Sequence, residues 1–171
     1  MKKILITTLL ATATVASSYA QTIVISEDFE SGATGWTLGG QIESVDLGLG
    51  DGLSNVLATS TNAGTAEVSL SPTFDLTGFT QDATLSFDYG DQDGGATRFV
   101  TFEFFDGTGW SSLTGGSYNQ NNANATLSFT IVQGDFANDN QFRITGKAGG
   151  GGQRDTYIDN FSVSVVPEPG S

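Results

Sequence analysis

Acidic side chains are the residues of this sequence best suited to chemistry, and Asp159 is the most informative of them. It lies in the stretch from Asp155 to Val165, where large apolar and small polar residues alternate. On a strand with this period of two, Asp159 falls on the apolar face. A buried carboxylate is costly unless it is paired, and a bound metal ion is one candidate partner. The alternative is a bulge that turns Asp159 to solvent, or backbone N–H groups that satisfy it.

The composition limits the other chemistry available to the chain. The 171 residues include no His and no Cys, which removes Ser–His nucleophiles, the usual zinc ligands and disulfides. Six Lys and Arg stand against 19 Asp and Glu, a net charge of −13. That charge predicts repulsion from nucleic acid and from anionic membrane surfaces, and attraction of divalent cations. An acidic surface can also serve solubility alone.

The N-terminal residues 1–20 have the pattern of a signal peptide. Two lysines form a basic start, an apolar run follows, and Ser18-Tyr19-Ala20 has the small-x-small form of a cleavage site. We therefore predict export, with one domain over residues 21–165. Losing the two lysines would change the net charge from −13 to −15. No apolar run reaches the roughly 18 residues of a membrane span, so we predict none.

The elements that must position these side chains are strands. Apolar residues recur at every second position, and Gly, Asn, Asp and Thr interrupt them roughly every 8–12 residues, which is typical of an all-β sandwich. No segment after the signal peptide has a helical period. We predict strands at residues 21–26, 41–46, 56–59, 66–70, 83–89, 99–105, 125–131, 142–145 and 155–165.

Exposed aromatic and basic residues are the candidates for ligand binding. Aromatic rings can stack on the C–H faces of sugars, and arginines can donate hydrogen bonds to a glycan. The arginines can instead pair with Glu103 or Asp88 on a neighbouring strand. Phe99 and Phe105 fall on the outer side of their strand, where either a loop covers them or they form a binding surface. The four candidate ligand-binding residues are Trp110, Tyr118, Arg98 and Arg143.

The sequence carries no recognisable motif of an enzyme. It has no phosphate-binding loop, nucleophile elbow or zinc helix. A glycosidase needs two facing carboxylates, and no strand pattern of that kind stands out, so we predict a non-catalytic protein and keep a glycoside hydrolase as the least favoured alternative. Asp91 and Asp93 have the Asp-x-Asp-Gly spacing of a second calcium loop, but the Glu that closes such a loop does not follow, so a hairpin turn is the favoured explanation.

The last six residues resemble a known sorting signal. Val166-Pro167-Glu168-Pro169-Gly170-Ser171 is similar to the start of a PEP-CTERM signal. Bacteria with an exosortase use that signal for proteins of the cell surface or the exopolysaccharide matrix. In the family an apolar helix and a basic cluster follow, and neither is present in these 171 residues. We therefore treat residues 166–171 as the start of a truncated sorting tail, and expect an extracellular location.

The two ends of the domain resemble the jelly-roll group that includes carbohydrate-binding modules and MAM-like domains. Phe29-Glu30-Ser31-Gly32 followed by Gly35-Trp36 is similar to the opening of that group, and residues 157–163 are similar to its closing strand. The resemblance implies a jelly-roll β-sandwich of two antiparallel sheets, with Trp36 in its core. It also implies a structural Ca²⁺ between opening and closing segments, and the implied ligands are Glu30, Asp159, Asp28 and Glu27.

Together these features predict a calcium-stabilised, non-catalytic module of the cell surface or matrix, with a structural or adhesive role. The alternative is a carbohydrate-binding module that recognises a polysaccharide. The sequence leaves open whether exposed sheet edges also lead to self-association. Taken alone, Glu27, Asp28 and Glu30 could also form no more than a solvated acidic turn.

Overall fold

The computed structural model describes residues 20–46, 53–58, 66–90, 99–116, 118, 125–147 and 156–166. Four sequence-based predictions lie outside the described residues. They are the signal peptide over residues 1–19, the second calcium loop at Asp91 and Asp93, the ligand candidate Arg98, and the sorting tail over residues 167–171. No helix among the described residues is long and apolar enough to cross a membrane.

The described residues form ten strands and one short 3-10 turn, Gln133–Asp135, so the all-β prediction is confirmed. Alternation of apolar and polar residues produces most of these strands, because one face lies in the core and the other in solvent, whereas β10 is buried on both faces along most of its length. The strands are β1 (Thr22–Glu27), β2 (Gln41–Asp46), β3 (Leu53–Ala58), β4 (Ala66–Leu70), β5 (Ala83–Gly90), β6 (Phe99–Phe105), β7 (Trp110–Ser112), β8 (Ala125–Ile131), β9 (Gln141–Lys147) and β10 (Tyr157–Val165).

The strands form two antiparallel sheets. The first has the order β2-β3-β10-β5-β8, and β1 also pairs with β10. The second has the order β4-β9-β6-β7. One edge of β10 pairs with β5, whereas its other edge is shared between β3 at Tyr157 and Ile158 and β1 from Phe161 to Val165. The closing strand is therefore central to the first sheet, and the opening strand lies beside it.

A β-bulge in β10 changes the expected direction of Asp159. The register with β5 shifts between Asp159 and Ser162, and Asn160 has a left-handed backbone with φ 48°. An inserted residue reverses the alternation, so side chains before and after the bulge face opposite sides. Asp159 pairs with Asp88 on the outer side of the sheet rather than sharing the core face of Phe161. The core face predicted for Asp159 was wrong, and the alternative of a bulge is what the structure contains. The bulge does not turn Asp159 to solvent, because the residue is only 2% exposed and accepts the N–H of Asn160.

Aromatic rings fill the space between the sheets. The Phe142 ring is fully buried, and its centroid lies 5.1–6.4 Å from those of Trp36, Phe87, Phe102 and Phe161. Trp36 is 9% exposed, so its expected place in the core is confirmed. Since large aromatic side chains each bury roughly 150–250 Å², this cluster buries a large apolar area in a domain without cysteine.

Candidate functional site

The outer face of the second sheet brings Trp110 and Arg143 together. The cross-strand pairs Phe105↔Trp110 and Glu103↔Arg143 place these four residues on one face of β7, β6 and β9. The Arg143 Cζ lies 4.1 Å from the centroid of the Trp110 ring, which is cation–π geometry. We call Glu103, Phe105, Trp110 and Arg143 the Trp110 patch.

A bidentate ion pair fixes the guanidinium of Arg143. Its Nε and Nη2 donate hydrogen bonds of 2.8 and 2.7 Å to the two carboxylate oxygens of Glu103. The two side chains are 27% and 20% exposed, so the pair is reachable from solvent. Parallel N–H···O bonds of this kind hold both planar groups in one orientation. The structure therefore contains the Arg143–Glu103 pair that the sequence offered as the alternative to glycan binding. This ion pair lies beside the Trp110 indole.

Phe105 supports the indole from the same face. Its ring centroid lies 5.3 Å from that of Trp110, with the planes tilted by 42°. Both side chains are half-buried. The outward Phe105 is thus covered in part by Trp110, and the two rings present one apolar surface beside the ion pair.

The turn between β6 and β7 positions Trp110. The Asp106 Oδ1 accepts hydrogen bonds of 2.8 Å from the backbone N–H groups of Thr108 and Gly109, and one of 2.7 Å from the Thr108 hydroxyl. Gly107 supplies the left-handed residue of the turn, with φ 86°. The Thr108 hydroxyl bond, followed by the two N–H bonds, holds the pKa of Asp106 below its ordinary value. A charged Asp106 therefore stabilises the turn that leads into Trp110.

We expect this turn to weaken in acid. Because the pKa of Asp106 is lower in the folded chain, its stabilisation is complete above the ordinary aspartate pKa of about 3.9 and is lost as the pH falls through the lowered value. NMR titration should show the Trp110 indole N–H signal following the Asp106 carboxyl signal. Asp75 is a matched control, because the hydroxyl and the N–H of Thr77 lower its pKa as those of Thr108 lower the pKa of Asp106. A Trp110 signal that follows neither residue would separate the turn from the patch.

Tyr118 does not lie in the Trp110 patch. Its ring packs against Tyr89 at 5.0 Å and Phe102 at 5.7 Å, both on core-facing positions. Its N–H donates a hydrogen bond of 2.6 Å to the Val100 carbonyl, and burial raises the pKa of its phenol. The structure therefore brings two of the four ligand candidates together, Trp110 and Arg143, and uses Tyr118 against the core.

The acidic residues of the opening loop bond to nearby backbone. Glu27 Oε1 accepts the N–H of Phe29 at 2.9 Å, and Asp28 Oδ1 accepts the N–H of Glu30 at 3.1 Å. Phe29 is left-handed, with φ 57°, which bends the loop after β1. Glu30 instead reaches β3, where its Oε1 accepts the N–H of Asn55 at 2.8 Å. The carboxylates thus shape the loop and tie it to the first sheet.

The opening loop and the bulge of β10 meet at a surface pocket of about 260 Å³. Asn160 takes part in the wall, while its side-chain amide donates a 2.8 Å hydrogen bond to Asp88 and its N–H donates one of 2.7 Å to Asp159. The pocket is lined by Ser26, Glu27, Asp28, Asn160, Phe161 and Ser162. Among the described residues no group of three Asp or Glu side chains is arranged to hold a metal ion by itself. The calcium site stays a prediction.

No protein-family model matches the sequence, and no curated protein sequence matches it. Solved structures do. The CBM22-1 xylan-binding domain of Paenibacillus barcinonensis Xyn10C is 15% identical, with a TM-score of 0.53 over 90% of this chain and 100% of that domain. The fold is a jelly-roll β-sandwich. The predicted fold class is therefore confirmed.

Two further solved structures, an adhesin domain and an esterase, are similar to this chain in fold. The K1 cleaved adhesin domain of the Lys-gingipain of Porphyromonas gingivalis W83 is 12% identical, with a TM-score of 0.59 over 84% of this chain and 97% of that one. A carbohydrate esterase of the Shiga toxin-encoding bacteriophage phi24B is 13% identical, with a TM-score of 0.55 over 87% of this chain and 100% of that one. At such identities the likeness concerns the fold.

Proposed function

We propose that this jelly-roll domain is a non-catalytic module that binds polysaccharide outside the cell through the Trp110 patch. One observation carries the proposal: the guanidinium of Arg143, locked by Glu103, lies over the Trp110 ring on a solvent-facing sheet surface. Sugars present apolar C–H faces next to hydroxyl groups. The patch offers an apolar ring surface next to a charged donor and a charged acceptor, which matches both features.

The ion pair also reduces the cost of binding. Arg and Glu side chains lose rotamer freedom when a ligand orders them, at roughly 0.5–1.5 kcal/mol for each immobilised side chain. In this patch Glu103 and Arg143 already hold one another through two hydrogen bonds. Part of the ordering is therefore complete before a ligand arrives, which supports a binding role over a purely structural ion pair.

The wider role that we propose is adhesion at the cell surface or in an exopolysaccharide matrix. The signal-peptide pattern of residues 1–20 and the PEP-CTERM resemblance of residues 166–171 support export to that place. Similar folds described as a xylan-binding domain and as an adhesin domain support the same class of activity. The acidic surface, with its net charge of −13, disfavours nucleic acid as the partner.

We further propose that Ca²⁺ stabilises the domain where the opening loop meets β10. Calcium takes carboxylate, amide and carbonyl oxygens together with water. Glu27 and Asp28 line the same pocket as Asn160. The buried Asp159 directly precedes Asn160 in the chain. Glu30 lies in the same loop and contacts β3. Backbone carbonyls or water would have to complete the coordination. A bound ion would add a link between the two ends of the domain, which no disulfide can supply.

Retention on polysaccharides tests the binding proposal. The purified protein should be retarded in gels that contain a soluble xylan, β-glucan or galactan. Trp110→Ala should weaken the affinity at least tenfold, about 1.4 kcal/mol, because it removes the ring surface and the support of Arg143. Thr84→Ala is a matched control, since Thr84 is exposed on the outer face of the other sheet.

Three results would contradict the proposal. Equal retention of wild type and Trp110→Ala would move binding away from the patch. Absence of retention on any polysaccharide would favour a structural role. Release of soluble sugar or acetate during the same incubation would indicate a hydrolase instead.

A further inference from the structure

Strand β8 is an outermost strand of the first sheet with an unusual composition. Its seven residues, Ala-Thr-Leu-Ser-Phe-Thr-Ile, pair with β5 along their whole length. In the sheet order of the described strands nothing pairs with its other edge. Exposed edges of this length normally carry a charge, a proline or a bulge that prevents pairing with another chain. β8 has none of these.

The other outermost strands do carry such features. β2 contains Glu43 and Asp46, and β4 contains Glu67. β1, which among the described strands pairs only with β10, contains Glu27 and a bulge, and β7 is only three residues long. In a protein with a net charge of −13, two copies repel one another over most of their surfaces. An uncharged edge is where two copies can approach with the least repulsion.

The core-facing side chains of β8 are only partly covered. Phe129 and Leu127 pair with Leu85 and Phe87 of β5. The two β5 side chains are fully buried, whereas Leu127 and Phe129 remain half-buried at the rim of the core. A further strand beside β8 would complete their burial, and burial of apolar surface is the main driving force of association.

The sequence of β8 is complementary to itself. In an antiparallel pair with a two-fold axis at Ser128, that serine faces its own copy. Leu127 then faces Phe129 on the inner side, and Thr126 faces Thr130 on the outer side. Apolar residues meet apolar residues and hydroxyls meet hydroxyls, which are favourable cross-strand pairs. An interface of this symmetry uses the same surface on both copies.

We propose that two copies of this chain pair antiparallel through β8, about a two-fold axis at Ser128, so that the first sheet continues from one copy into the other. The opposite edge, formed by β2 with its acidic residues, does not repeat the contact. The assembly therefore closes as a dimer and does not grow into a fibre. This interface does not involve the Trp110 patch and is independent of polysaccharide binding.

Light scattering after size exclusion tests the dimer with the full chain. Wild type should have twice the mass of one chain. Ser128→Lys and Ser128→Glu should each be monomeric, with dissociation constants raised at least tenfold, because like charges would face one another at the axis. An equimolar mixture of the two variants should recover the dimer. Thr84→Lys adds the same charge to the same face, one strand in from the edge and opposite Thr130, and should stay dimeric.

A monomeric wild type at high concentration would overturn the proposal, and so would an unchanged dimer in Ser128→Lys. A mixture that stays monomeric would overturn the axis at Ser128. Because the chain has no Cys, Ser128→Cys gives a second measurement that does not depend on the charged variants. It should form a disulfide-linked dimer under mild oxidation, since facing residues of antiparallel strands lie within disulfide reach. Thr84→Cys should not, and equal cross-linking of both variants would contradict the proposed edge.

Discussion

Replacing Phe142 with alanine should lower the free energy of unfolding by about 3–5 kcal/mol. The Phe142 ring is fully buried and contacts aromatic rings from both sheets, including Phe87 of the first and Phe102 of the second. Alanine would leave a cavity that no neighbouring ring can fill without leaving its own place. The free energy of unfolding of a typical domain is only about 5–15 kcal/mol, so a large part of the stability depends on Phe142.

Chemical denaturation measures the effect of Phe142→Ala. The midpoint should fall while the slope with denaturant stays the same, because the surface exposed on unfolding barely changes. Phe79→Ala is the matched control, since Phe79 packs against the rim of the same core and is half-buried. It should lose clearly less stability. Equal losses at the two positions would mean that the core is not organised around Phe142.

Adding Ca²⁺ should raise the melting temperature of wild type and leave that of Asp159→Asn unchanged. At a free concentration of 100 times its dissociation constant, a bound ligand stabilises the folded state by about 2.7 kcal/mol. For a domain of this size that corresponds to a rise of about 5–10 °C. Asparagine keeps the shape of the side chain and removes its charge, so the comparison tests the carboxylate and not the packing.

The comparison needs two controls. Excess EDTA should return wild type to its metal-free melting temperature. Glu67→Gln, which removes one carboxylate from the second sheet, should keep the full response to calcium. Identical melting temperatures of wild type in calcium and in EDTA would contradict the proposed calcium site. The buried Asp159 would then be stabilised by contacts within the protein alone, among them the hydrogen bond from the Asn160 N–H.

Most strands of this fold were predictable because their apolar and polar side chains alternate, whereas the first half of β3, which does not alternate, was not predicted. β7 was not, since its three residues are too few to show a period. The bulge in β10 was foreseen only as the alternative explanation of Asp159. A bulge changes only which residues of the two strands pair, so the alternation of apolar and polar residues in the sequence does not reveal it. Asn160 was the available signal, because asparagine tolerates the left-handed backbone better than most residues.

The candidate site was predictable in its residue types and not in its arrangement. Trp110 and Arg143 could be named from the sequence, and so could Glu103 as a possible partner. Their meeting depends on the register of β6 with β9 and of β6 with β7. That register is set by contacts between residues far apart in the chain. Tyr118 shows the same limit, because its burial depends on where a loop residue lands and not on its own neighbours.

The pairing of β1 with the last half of β10 has a mechanical consequence. Thr22 lies opposite Val165, and the pairs run from there to Glu27 and Phe161. Both ends of the domain therefore leave from the same corner. A force that pulls these two ends apart acts first on the pair of Thr22 and Val165 alone. The hydrogen bonds between β1 and β10 would therefore break one pair after another. A force between the C-terminal end and a ligand held on the second sheet would instead be shared across the sandwich.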